Sequence, residues 1–278
     1  FQLMLSKIKH RLVRKIEKIP LLQIFIYNNL QYFKFLFPHD KDYYALQKLF
    51  PKNEKRTFID VGGNIGLSTI GFRELGFNQN KIYVFEPDYN LIKKYLKKIK
   101  QRYNKIKIFN FGLSNKETVA KLYKAFYKKK FFHFNNSFDK NYIINKLRDN
   151  YGEDSSKFII KSSLLRLKKF DDLNILEKIC FIKIDVEGLD HLVLYGMKKC
   201  IKKNFPVFLI EYNLSNFKKI YNFLKKYYEC HFYDFKKNKL VKINDIELSY
   251  LKRGKILEKE FKKNSVNIFF IKKKQLYF

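Results

Sequence analysis

Arginine is scarce in this strongly basic chain. Of 278 residues, 59 are Lys or Arg, only eight of them Arg, against 26 Asp and Glu, for a formal net charge of +33. A surface built to read phosphates favours clustered Arg forks, which grip an anion through two parallel N–H bonds. Lys spread along the whole chain reads instead as a solvated coat, so a nucleic-acid partner is not expected from the charge alone. Cysteine is scarcer still. Cys180, Cys200 and Cys230 are odd in number, far apart and in no metal-ligand spacing. They read as reduced thiols of a cytoplasmic protein rather than as a disulfide framework. No signal peptide is visible. The one long apolar run, LLQIFIYNNLQYFKFLF (21–37), is interrupted by Asn28, Asn29, Gln31 and Lys34 and is too short to span a bilayer. Its spacing suits an amphipathic helix, the form taken by segments that lie on a membrane surface. Neither a repeat nor a linker marks out a second domain.

What is present is apolar and aromatic. At 46% hydrophobic and 18% aromatic the chain is no disordered polymer, and its length allows one large core. Residues 1–50 read as a helical N-terminal extension, basic first and aromatic after, ended by Pro51. Residues 51–278 read as one domain with a regular alternation: strand 57–61, helix 65–75, strand 81–86, helix 89–100, strand 106–111. An insertion at about 112–160, with the aromatic and Lys-rich stretch 123–134, interrupts it. The rhythm returns with strand 180–185, helix 189–202, strand 206–211, helix 215–227, strand 228–235 and a last strand at 266–271. Strands separated by helices of this length imply parallel pairing with right-handed crossovers. The expected fold is α/β: a doubly wound, mostly parallel seven-stranded sheet, Rossmann-like, with an antiparallel C-terminal edge.

Only ten glycines occur, and three fall within five residues, in IDVGGNIG (59–66). Gly62, Gly63 and Gly66 lie where the first strand ends and a helix begins. Glycine there permits a sharp turn and close ligand approach, and the helix N-terminus offers free N–H groups. The second strand ends about twenty residues later in Glu86, followed by Pro87 and Asp88. A carboxylate at that place suits both hydroxyls of a ribose. A dinucleotide site is the rival reading, but Asn64 stands where the G-x-G-x-x-G pattern needs its second glycine. Asp60 directly before the turn repels a diphosphate and welcomes a cation. The pattern therefore favours a nucleoside carrying an ammonium and a sulfonium, which describes S-adenosylmethionine.

A second signal is the run FIKIDVEG (181–188). Lys183, Asp185 and Glu187 alternate, so a strand points them to one side. A row of buried charge costs several kcal/mol, on the order of the penalty for any unpaired ion in a core, and is seldom kept without a use. If this strand neighbours the one at 57–61 across the switch point of the sheet, Asp185 and Glu187 face both the sulfonium and an incoming acceptor. Glu187 or Asp185 would then orient and deprotonate a hydroxyl, Glu211 at the end of the next strand would support them, and Lys183 would balance the charge. A divalent metal on Asp185, Glu187 and Glu211 is a weaker alternative. His133 in the insertion and His191 in a helix are further candidates, each readable as simple packing.

FIDVGGNIG (58–66), VFEPD (84–88), FGLSNKE (111–117) and IKIDVEGLDHLVLYGM (182–197) together resemble the FkbM family of methyltransferases over roughly residues 56–212. The resemblance implies a class I methyltransferase sheet and S-adenosylmethionine-dependent transfer to a hydroxyl of a sugar, glycan or natural-product scaffold. Carried over, it implies that Asp60, Gly62, Gly63 and Asn64 border the methionine part, with Gly66 closing the turn. Glu86, followed by Pro87, would hold the ribose, and the backbone of Phe111, Gly112 and Leu113 would lie beside the adenine. Three rivals stand beside it: an RNA methyltransferase on the same fold, a nicotinamide-dependent oxidoreductase and a catalytically idle interaction protein.

Overall fold

Short runs rich in Val, Ile and Phe, each closed by a turn or a charged residue, form the strands. In chain order these are β1 (Thr57–Val61), β2 (Ile82–Phe85), β3 (Ile106–Phe109), β4 (Gly112–Ser114), β5 (Thr118–Tyr127) and β6 (Lys130–Ser137). β7 (Phe158–Lys169), β8 (Ile179–Ile184), β9 (Val207–Glu211), β10 (Tyr228–Asp234), β11 (Lys239–Lys242) and β12 (Asn267–Lys272) follow. The principal helices are α1 (Pro20–Asn29), α2 (Leu67–Glu74), α3 (Lys97–Arg102), α4 (Lys140–Tyr151), α5 (Asp190–Tyr195), α6 (Lys198–Asn204), α7 (Leu214–Leu224) and α8 (Asp245–Lys252). This computed structural model describes residues 19–29, 38–186, 188–252 and 267–273.

The chain divides into two compact units. Phe37–Val119 with Arg166–Phe278 make the larger, and Phe1–Leu36 with Ala120–Leu165 the smaller. The sequence pattern marks residues 1–50 as an extension and 51–278 as one domain with an insertion at about 112–160; the smaller unit takes in most of that insertion together with Phe1–Leu36. In the smaller unit, β5 and β6 form an antiparallel hairpin. Asp139 starts α4 by accepting the N–H groups of Asn141 (2.8 Å) and Tyr142 (3.4 Å). Its core joins Ile24, Ala125, Phe132, Ile143, Leu147 and Phe158.

The larger unit holds the main sheet, in the order β11-β10-β12-β9-β8-β1-β2-β3. β3, β2, β1, β8 and β9 are parallel, and the sheet winds outward in both directions from the β1–β8 junction. The sheet has eight strands, not the seven expected. The extra one exists because Asp234 accepts N–H bonds from Lys236 (3.0 Å) and Lys237 (3.1 Å), closing a tight turn that folds β11 back on β10. Nor does the last strand form the edge: β12 inserts antiparallel between β9 and β10. No described helix is long and apolar enough to cross a membrane.

Both faces of this sheet are covered. Ile59, Val61, Phe85, Ile182 and Ile184 face one core; Phe58, Val84, Phe181 and Leu209 face the other, with Phe50, Phe72 and Phe77. Because side chains alternate along a strand, Asp60, Glu86, Lys183, Asp185 and Glu211 all continue the second face.

Candidate functional site

Strand register brings the charged residues together. Val61 lies opposite both Phe85 and Ile184, and Ile184 lies opposite Ile210. The next residue of each strand is Gly62, Glu86, Asp185 and Glu211 respectively. Four adjacent parallel strands thus end level, at the carboxyl rim where the sheet changes winding direction, the usual location of a ligand in such folds.

The glycine turn is fitted to the protein as much as to any guest. Gly62 has φ +84°, and a Cβ there would lie 2.0 Å from the Asp185 carbonyl oxygen. A Cβ at Gly63 would meet Val84 at 2.3 Å, and one at Gly66 would meet Ile99 at 2.2 Å. Gly62 and Gly63 donate their N–H groups to the Phe85 carbonyl at 3.0 and 3.1 Å. Glu86 braces the turn: one carboxylate oxygen accepts from the Asn64 N–H at 2.8 Å, the other from the Asp88 N–H at 2.8 Å. An ionised carboxylate offers about four acceptor positions, so a group that braces the turn is also suited to a diol. The Asn110 amide donates to the Pro87 carbonyl at 3.0 Å, tying the Phe111–Gly112 segment beside Glu86. A Cβ at Gly112 would stand 3.5 Å from the Pro87 ring, and β4 then pairs with β7. Phe85, Phe109 and Phe111 cluster there, the first two stacked with centroids 4.6 Å apart.

Beneath the rim runs a line of charge. Lys183 is buried, with its Nζ 3.1 Å from Asp185 Oδ2 and 3.9 Å from Asp60 Oδ1. Burial alone would drive its ammonium toward neutrality; Asp185, Tyr43 and Asp60 outweigh that and hold its pKa above the ordinary value. Asp60 has 0% of its surface exposed. Burial raises its carboxyl pKa, opposed by Lys183 and by the Thr69 hydroxyl, which donates to Oδ2 at 2.8 Å. Asp60, expected to border the methionine part, is thus closed off from solvent, with Lys183 and Thr69 as its partners. Leu113 is likewise a core residue, able to offer only backbone.

Asp185 begins the loop after β8, half-exposed, with its N–H held by the Val61 carbonyl at 3.1 Å. Glu187, one of the two candidate bases, lies outside the described residues, and the same holds for the side chain of His133. Glu211 closes β9 opposite Asn267 of β12. His191 is half-buried on α5 against Tyr195.

Several rim residues escaped the sequence reading. Asp190 is buried and shapes the loop: it accepts from the Val186 N–H (3.1 Å) and the Asn216 amide (2.6 Å). Burial, then the charge of Asp185, pushes its carboxyl up to about 6. Its place in the VEGLD stretch was the available signal. The segment 38–45 also arrives at this rim. Asn267 donates to both Asp40 (2.6 Å) and Asp42 (2.9 Å), Tyr43 is buried against Phe72, and the His39 ring feels the charges of Lys183 and Asp185. No motif in that segment announces it. Among the described residues, no group of three or more His, Cys, Asp or Glu is arranged to hold a metal ion.

Residues 60–233 match the family model described as the methyltransferase FkbM domain. No curated protein matches the chain. Among solved structures, the chain is similar to a methyltransferase FkbM from Methylobacillus flagellatus KT, at 15% identity and a TM-score of 0.46 over 78% of this chain and 43% of that one. A precorrin-6y C5,15-methyltransferase from Geobacter metallireducens GS-15 gives 8% identity and a TM-score of 0.38 over 84% of this chain and 85% of that one. The chain thus spans less than half the length of the first of these structures. At such TM-scores the likenesses add nothing to the fold, which stands on strand order. The family match takes in the glycine turn, Glu86 and the IDVEG loop together, and it covers well over half of the sequence: this chain belongs to the FkbM methyltransferase family.

Proposed function

We propose that the protein moves a methyl group from S-adenosylmethionine to a hydroxyl of a sugar, glycan or related small molecule. The observation that carries the reading is the level ending of four adjacent strands, which sets Gly62, Glu86, Asp185 and Glu211 along one rim. The residues there fit the cofactor. Glu86 carries the carboxylate that a ribose diol needs, Asn64 Oδ1 is a buried acceptor with no protein partner, and Asp185 offers negative charge to a sulfonium.

Bound there, the cofactor supplies an electrophilic methyl on a positively charged sulfur. Glu86 and the Asn64 backbone position its nucleoside end. Asp185, held by Lys183 at 3.1 Å, orients the acceptor. Glu187, two residues on, takes the hydroxyl proton as the oxygen bonds to the methyl carbon and S-adenosylhomocysteine leaves, and Glu211 steadies the acceptor's other hydroxyls. A rim so rich in carboxylates repels phosphates, which favours a neutral polyol over RNA as the acceptor.

Calorimetry with S-adenosylhomocysteine tests the cofactor site: binding is expected for the wild type and at least ~tenfold weaker binding for Glu86→Gln, which loses charge-assisted bonds to the diol. No binding at all would sink the reading. Incubation with labelled methyl donor then separates acceptors: label should enter a surface-polysaccharide extract and not bulk RNA, and Glu187→Gln should cut that transfer at least ~100-fold while sparing S-adenosylhomocysteine binding.

A further inference from the structure

We propose that the outward side of α1 seats this protein on an anionic phospholipid bilayer. The helix, PLLQIFIYNN, packs into the smaller unit through Pro20 and Ile24, with Leu21, Gln23 and Ile26 half-buried. Ile24 is buried there beside Ala125, Phe132, Ile143 and Leu147, and Gln23 accepts a bond from the Tyr151 hydroxyl at 2.7 Å. Away from Ile24 stand Ile19, just before the helix, Leu22 and Phe25, exposed by 50%, 37% and 66%. At 3.6 residues per turn these three share one arc, roughly opposite Ile24. A single exposed apolar residue is ordinary; three on one arc of one helix make a stripe that needs a cover.

Charge identifies the cover. The described part of the smaller unit carries ten Lys and Arg against four Asp and Glu. A second copy of this chain on the stripe would bring two such positive units together, which is repulsive. RNA would satisfy the Lys but leave the apolar stripe in water. An anionic bilayer surface satisfies both: the headgroups pair with Lys and Arg while the stripe enters the boundary of the acyl region. This inference does not depend on the methyl-transfer reading.

The test is co-sedimentation of the full chain with vesicles of phosphatidylcholine alone, and of phosphatidylcholine mixed with phosphatidylglycerol. Binding is expected on the mixed vesicles, at least ~tenfold weaker on the neutral ones, and falling as salt rises. Phe25→Asp and Leu22→Asp should each weaken it at least ~tenfold, because each removes a large buried side chain from the bound state. Both positions are exposed, so circular dichroism and S-adenosylhomocysteine affinity should not change. The proposal is overturned by equal binding to both vesicle types, by no binding, or by binding that both substitutions leave intact. A dimer seen by light scattering, dissolved by Phe25→Asp in a chain that ignores vesicles, would also overturn it in favour of self-association.

Discussion

Lys183 lies between two carboxylates, its Nζ 3.1 Å from Asp185 Oδ2 and 3.9 Å from Asp60 Oδ1, in a poorly hydrated place. Lys183→Met keeps the side-chain volume and removes the charge, leaving Asp60 buried and unpaired. Removing one partner of a buried pair costs about 3–5 kcal/mol, and the half-exposure of Asp185 puts this case near the lower figure. Urea melts should show a loss of about 3 kcal/mol; a loss under ~1 kcal/mol would mean that the ammonium pairs with nothing that matters. Asp190 offers a pH test. Its carboxyl sits near 6 in the folded protein and near 3.8 when unfolded. Between those values the folded state binds the extra proton, so this group's contribution is full below pH 3.8 and is lost as pH rises through about 6. The difference is on the order of 3 kcal/mol. Asp190→Asn removes that dependence, and Asn216 Oδ1, buried without a partner, can accept from the new amide. Thermal melts of wild type and variant across about pH 4 to 7 should converge at low pH and diverge in the variant's favour above it. Parallel curves would contradict the assignment.

Elements meet at the rim because parallel strands of similar length end level, and the loops that follow must then avoid one another. Gly62 shows the constraint: its φ of +84° and its closeness to the Asp185 carbonyl both forbid a side chain. Gly76, at φ +96° and with nothing within 4 Å of where a Cβ would stand, has only the backbone constraint. Gly76→Ala should therefore cost about 1–2 kcal/mol, the usual strain of a left-handed non-glycine residue. Gly62→Ala should cost clearly more and abolish S-adenosylhomocysteine binding, since the turn must part from β8. Equal costs in chemical denaturation would show that the close approach is not real. The same rim explains the antiparallel β12: it delivers Asn267 to the level of Glu211, where it binds Asp40 and Asp42 from a segment more than two hundred residues away in sequence.

For the whole molecule, the three thiols report integrity. Cys180, Cys200 and Cys230 are buried thiols, on β8, α6 and β10. Burial raises the thiol pKa of Cys180, and pushes that of Cys200 up to about 12, so neither supplies thiolate at neutral pH. Alkylation of the native protein should be slow, and all three should become reactive together on unfolding of the larger unit. Rapid modification of any one under native conditions would show that its element opens alone. The net charge of +33 also acts at this scale. It comes mainly from Lys spread along the chain, whereas Gly62, Glu86, Asp185 and Glu211 end four adjacent strands, three of them carboxylates on one rim.

Periodicity alone located nearly every element of the main sheet, because strands buried on both faces must be apolar runs and the helices between them must carry a stripe. Three glycines in five residues, a carboxylate about twenty residues on and alternating charges at 183–187 were legible for the same kind of reason: each is a local pattern that ordinary packing does not require. Strand order, and with it the level ending of Gly62, Glu86, Asp185 and Glu211, is a property of pairing between segments far apart, and only the tertiary structure decided it. So too for the eighth strand, the internal place of β12, the burial of Asp60 and the arrival of Asp40, Asp42 and Asn267 at one place. Local sequence determines what a segment can become; which partner it meets is decided by the free energy of the whole packed sheet.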